Sequence, residues 1–109
     1  MQTESYVLVL CTCPDDRTAR DLATETVQAR LAACVNIVPA VRSIYWWQGK
    51  VTADEESLLI IKTTASRYAE LESAIVQHHP YDVPEILQIP IAAGSQSYLA
   101  WLEAVVQGR

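Results

Sequence analysis

"CVNIVPAVRSIYWWQGKVTADEESLLIIKTT" occupies residues 34–64, and its reading decides the fold. The first part, 34–47, is rich in β-branched and aromatic residues and reads as a strand. It is bent or bulged at Pro39, which has no N–H to give a sheet ladder. "QGK" (48–50) turns the chain, and "ESLLIIKTT" (56–64) runs back as the partner strand. Each arm, about 34–47 and 51–64, would extend roughly 45 Å at ~3.3 Å per residue. A compact domain of this length has a diameter of only about 35 Å. The hairpin must therefore bend at Pro39 or project beyond the body. Its end carries Tyr45, Trp46 and Trp47, and strand alternation places large rings on both faces. Such a tip aggregates unless another chain covers it, so the pattern points to an obligate oligomer.

Outward from the hairpin the elements follow a regular order. "YVLVLCTC" (6–13) is apolar at both parities, the pattern of a central strand covered on both faces. Pro14 stops it, and Asp15 or Asp16 can cap the next helix and favour its dipole. In that helix Ala19, Leu22, Ala23, Val27 and Leu31 recur at helical spacing, with Asp21, Glu25 and Arg30 among the polar positions. After the hairpin, Ser66 is placed to cap a second helix whose inner face is Tyr68, Leu71 and Ile75. "PEILQIPI" (84–91) reads as a further strand. "SQSYLAWLEAVV" (95–106) reads as a terminal helix with Tyr98, Trp101, Leu102 and Val105 on or near one stripe. The order β-α-β-β-α-β plus one helix predicts one α/β (α+β) domain over residues 1–109. Its expected form is a ferredoxin-like sandwich, an antiparallel sheet under two helices.

Composition narrows the function. Half of the 109 residues are hydrophobic and 19% are charged, enough for a packed core. The net charge is -5 with no basic run, which disfavours nucleic acid or an anionic membrane as a partner. No apolar run approaches the ~20 residues of a spanning helix. The N-terminus lacks a basic region and a small-residue cleavage site, so no signal peptide is expected. Three cysteines, an odd count without secretory features, suit reduced thiols in a cytoplasm. Cys11 and Cys13 share a strand face, but their spacing is awkward for a disulfide.

"VQHHPYDVPEI" (76–86) sets His78 and His79 before Pro80, so the second helix should end at one of them. Two readings stand. The imidazoles can stabilise the last carbonyls of the helix, with proline as the stop. Alternatively they ligate a metal. Neighbouring helical side chains diverge by roughly 100°, so the pair chelates only where the helix unwinds, as Pro80 permits. Cys11 is likewise either a small core hydrophobe, as Cys13 and Cys34 read, or a ligand. The first strand and the strand after "HHPYDVP" should be sheet neighbours, which brings Cys11 near the histidines. Cys11, His78 and His79 form a set suited to copper or zinc, with an open position and labile binding, and the fold should not need the ion. No CxxC or HxxxH spacing accompanies them.

A nucleophilic Cys11 would make an enzyme, but nothing marks an orienting residue or an oxyanion site, and "CTCPDD" is no phosphate cradle. The chain is therefore read as a non-enzyme. A binding module is a third class. Lys62 and Glu85 stand at strand ends, where a charge either faces water or lines a cleft between subunits.

"ARLAACVNIVPAVRSIYWWQGKV", "LLIIKTT", "HHPYDVPEILQIPI" and "YLAWL" together resemble the CutA family of divalent-cation tolerance proteins, over about residues 6–107. The resemblance implies a PII-like, ferredoxin-like fold and a homotrimer joined through the long hairpins. It also implies a part in the response to metal ions. Some members bind Cu(2+) through a cysteine at the end of the first strand and histidines at "HHP", positions that match Cys11, His78 and His79; Zn(2+) or another divalent cation is the alternative ion. The likeness to PII-type signalling trimers implies the alternative function, a small ligand held between subunits, with Glu56, Lys62, Glu85, Tyr98 and Trp101 around its cleft.

Overall fold

The computed structural model describes residues 4–108. The hairpin forms from strands β2 (Cys34–Trp47) and β3 (Lys50–Thr64). Their ladder runs from Cys34↔Lys62 to Trp47↔Lys50 and slips once, between Val38 and Val41. The expected bulge is thus present at Pro39, and Ala40 takes a left-handed φ of 58° beside it. At the far end Gln48 and Gly49 have φ of 49° and 81°, a two-residue turn whose twist matches paired strands. Nothing lies within 4 Å of a Cβ built on Gly49, so backbone angle rather than crowding selects glycine there. The described chain measures 49 × 26 × 22 Å, as a hairpin that outruns the body requires.

β1 (Tyr6–Cys13) lies between β3 and β4 (Ile86–Pro90), giving a sheet of order β2-β3-β1-β4 in which every neighbouring pair is antiparallel. Helices α1 (Asp16–Gln28) and α2 (Tyr68–His78) pack on one face. There Val7, Val9, Leu59 and Ile61 meet Ala19, Leu22, Leu71 and Ile75. This is the ferredoxin-like arrangement that the element order predicts. Among the described residues no helix is long and apolar enough to cross a membrane.

One expectation about β1 fails. The strand is central, but helices cover it on one side only. Val7, Val9, Cys11 and Cys13 are 0–3% exposed, whereas Tyr6, Leu8, Leu10 and Thr12 are only half-buried. Leu8 and Leu10 pair with Ile89 and Leu87 of β4 and with Lys62 and Ile60 of β3, so an apolar sheet face stays open. The third helix, α3 (Gln96–Val106), covers one end of the sheet, where Leu102 and Val106 pack with Ala33 and Tyr6. The Tyr6 hydroxyl donates to Glu103 at 2.6 Å.

The helices differ from expectation in detail. Asp15 is the cap of α1, accepting from the Thr18 N–H at 2.8 Å, and Asp16 pairs with Arg20 instead. The buried stripe is Ala19, Leu22 and Thr26, not Ala23 and Val27. Thr26 is tolerated inside because its hydroxyl donates to the Leu22 and Ala23 carbonyls at 2.9 and 3.1 Å. Since α1 ends at Gln28, Leu31 reaches the core from the connection that follows. Ser66 does not cap α2. A 3₁₀ turn, Ala65–Arg67, precedes that helix, and the Ser66 hydroxyl donates to Glu4 at 2.8 Å. In α3, Tyr98 and Trp101 face outward, 41% and 47% exposed, with ring centroids 5.5 Å apart.

Candidate functional site

Strand alternation places the Cys11 and Cys13 sulfurs on the helix-covered face of β1, where both residues are fully buried. In register Cys11 lies opposite Leu59 and Ile86, and Cys13 opposite Ser57. At the end of α2 the proline acts as expected. His78 is the last helical residue, and His79 has an extended ψ of 136° while its N–H still donates to Ile75 at 2.8 Å.

That change of backbone direction separates the two histidines. His79 turns inward, 7% exposed, with Nε2 2.8 Å from the Thr12 carbonyl oxygen. His78 stays on the outer face of the helix, its Nδ1 2.9 Å from the Ala74 carbonyl oxygen and 3.8 Å from the Glu25 carboxylate. The structure therefore brings together Cys11, Cys13 and His79, with ligand atoms all within 4.8 Å of one another. The grouping read from the sequence changes at one position: Cys13, taken for a core hydrophobe, stands where His78 was expected. Only the residue beyond the last helical turn is free to swing inward.

Hydrogen bonding fixes the His79 ring. The Tyr81 backbone N–H donates to Nδ1 at 3.1 Å, so Nδ1 holds the lone pair and Nε2–H donates to Thr12. The Tyr81 ring packs beside it, centroids 4.7 Å apart. The bond to Cys13, and then burial, hold the Cys11 thiol well above its ordinary range. The same interaction lowers Cys13, and the Cys11 sulfur lies 3.8 Å from the Thr12 carbonyl oxygen. Both thiols are free. Two sulfurs and an imidazole, with no carboxylate among them, suit copper or zinc and not magnesium or calcium. Holding such an ion requires loss of the thiol protons and release of one His79 nitrogen from its internal bond.

The five residues expected around a ligand cleft divide into two places. Glu56 and Glu85 line a cleft of ≈ 750 Å³, together with Tyr45, Trp47 and Asp54 of the hairpin and Tyr81 and Asp82 of the loop before β4. The Tyr81 hydroxyl donates to Glu56 Oε2 at 2.8 Å, and the Tyr45 hydroxyl donates to Asp54. Burial, then the Glu56 bond, push the Tyr81 phenol up. Lys62, Tyr98 and Trp101 lie elsewhere. Lys62 is opposite Cys34 in register, and Tyr98 reaches the Cys34 thiol. Sequence reading missed Tyr81, which joins His79 through its backbone and Glu56 through its hydroxyl. Its signal was a bulky residue in a loop held between two prolines.

The comparisons agree with this architecture. Residues 7–105 match the profile of the family described as CutA1 divalent ion tolerance protein. The chain belongs to that family. It is 50% identical over 95 residues to the divalent-cation tolerance protein CutA of Thermus thermophilus, covering 87% of this chain and 92% of that one. Against CutA of Escherichia coli the identity is 44% over 98 residues, covering 90% and 88%. The crystal structure of CutA1 from Oryza sativa matches with a TM-score of 0.94 at 42% identity, over 98% of each chain. These matches bear out the CutA resemblance and the ferredoxin-like fold.

Proposed function

We propose that this CutA-family chain binds copper, or a similar divalent ion such as zinc, through Cys11, Cys13 and His79, as part of a response to metal ions. The observation that carries the reading is the cluster itself, three buried donors within 4.8 Å. Two thiolates and one imidazole leave a fourth position open. His78 then acts as a helix-end imidazole against the Ala74 carbonyl. Cys11 is buried and holds its proton, which argues against an exposed nucleophile and means that an ion must displace that proton. The core around the cluster is closed by apolar side chains, so the fold does not rest on the ion. Thiol protons must leave, so uptake weakens as pH falls. Calorimetric copper titration tests the assignment. Cys11→Ser, Cys13→Ser and His79→Ala should bind far more weakly than wild type, and His78→Ala equally well. If all four bind like wild type, the residues are core thiols and a helix stop.

The same reading includes a homotrimer. Its support is the open face with Leu8, Leu10, Leu58, Ile60, Leu87 and Ile89, and the hairpin rings Tyr45, Trp46 and Trp47, exposed by 37%, 73% and 45%. The number three comes from the family resemblance, and a monomer by light scattering at micromolar concentration would contradict it. Free cysteines are in keeping with a cytoplasmic location. A second reading, a PII-like signalling trimer that takes a small ligand between subunits, is favoured by the cleft at Glu56 and Glu85.

A further inference from the structure

The walls of that cleft are chemically one-sided. Asp54, Glu56, Asp82 and Glu85 line it, Tyr45, Trp47 and Tyr81 add rings, and no Lys or Arg is among the described lining residues. Its ≈ 750 Å³ falls within the roughly 300–1,000 Å³ of small-molecule sites.

Glu56 is the informative group. It is only 6% exposed, yet a donor reaches just one of its oxygens, the Tyr81 hydroxyl at Oε2. Oε1 has no donor among the described residues and is not sealed off, so it opens onto the cleft that Glu56 lines. A carboxylate drawn that far from water asks for a cation or further donors. Asp54, by contrast, is engaged by the Tyr45 hydroxyl. The negative field is felt nearby, where Glu56 contributes to the raised phenols of Tyr45 and Tyr81.

We propose that the cleft binds a small organic cation, an amine or guanidinium on an apolar body. The charged head meets Glu56 Oε1, and the body lies against the Tyr45, Trp47 and Tyr81 rings. A nucleotide would bring phosphates to carboxylates with no base to receive them. A bare ion would leave the rings unused. The inference rests on the small-ligand reading of the cleft and not on the metal cluster.

Chelator-treated protein, wild type and Cys11→Ser/Cys13→Ser, is titrated by saturation-transfer NMR with benzylamine, agmatine, benzoate and ATP. The amines should bind saturably to both forms and benzoate to neither. Glu56→Gln keeps an acceptor for Tyr81 but loses the charge, and should weaken amine binding about tenfold to a hundredfold. Glu85→Gln, at an exposed position, is the second variant and should weaken it less. Amine binding that survives both substitutions overturns the proposal. Saturable ATP binding without amine binding overturns it while keeping the small-ligand reading. No binding by any probe, with a changed oligomeric state in Glu56→Gln, overturns both and gives the cleft to a second copy's cationic side chain.

Discussion

Val9 and Leu10 are neighbours in β1 and equally apolar, yet they meet different surroundings. Val9 faces α1 and α2 and is fully buried, while Leu10 points to the open face and stays half-buried. On the covered face, caps, helix stops and side-chain shapes all come from this chain, and the Cys11–Cys13–His79 cluster forms there. On the open face the sheet is paired edge to edge, but among the described residues no layer covers Leu10, Leu87 and Ile89. The first face is a folding surface, and the second fits an assembly surface. A strand that is apolar at both parities therefore does not say whether one chain or several will cover it.

The sharpest way to break this contrast is to truncate each face. Leu59→Ala, at 1% exposure, should cost ~2–5 kcal/mol by denaturant unfolding. Leu87→Ala, at 53% exposure, should cost a separated chain under about 1 kcal/mol. Equal losses in separated chains would mean that the open face is finished without a partner. The proposed assembly carries the next effect. Leu10→Glu puts a charge in the open face and should dissociate the proposed oligomer by sedimentation while the circular dichroism spectrum persists. An unchanged sedimentation coefficient would remove that face from the interface.

Smaller effects test the covered face. Thr26→Val keeps the shape and removes a hydroxyl bonded to its own helix, so it should change stability by no more than about 1 kcal/mol. A larger loss would show that the hydroxyl holds more than its own turn. The least effect belongs to the α1 cap. Hydrogen bonds from Thr18 hold the Asp15 carboxyl below its usual range. Its contribution is therefore full above the unfolded value near ~3.9 and is lost as pH falls through the lower folded value. Asp15→Asn, still a good cap, should flatten that acid limb in urea titrations at several pH values. An acid limb identical to wild type would assign it to other carboxylates.

The fold was legible where local rules act alone. Pro39 marked the bulge, "QGK" the turn, and arm length the projection. The helix stripes were less legible. Thr26 is polar but satisfies itself, and α3 is apolar nearly all round, so periodicity could not separate Tyr98 and Trp101 from Leu102 and Val106. The cluster was half legible. Parity already placed Cys11 and Cys13 on one face, but that fact served only to argue against a disulfide. Divergence of adjacent helical residues implied that His78 and His79 would separate, without saying which would turn in. Tyr81 and Glu56 meet only because the loop before β4 folds back on the hairpin, a long-range event with no local pattern.

That the proposed metal donors belong to the covered face of a single chain is tested most directly in the Leu10→Glu protein once dissociated. Copper titration by calorimetry, followed by X-ray absorption on the loaded sample, reads stoichiometry and ligand type together. One ion per chain, affinity like that of wild type, and sulfur in the first coordination shell are the predicted results, with His78→Ala leaving all three unchanged. Loss of binding on dissociation, or a first shell without sulfur, would contradict them.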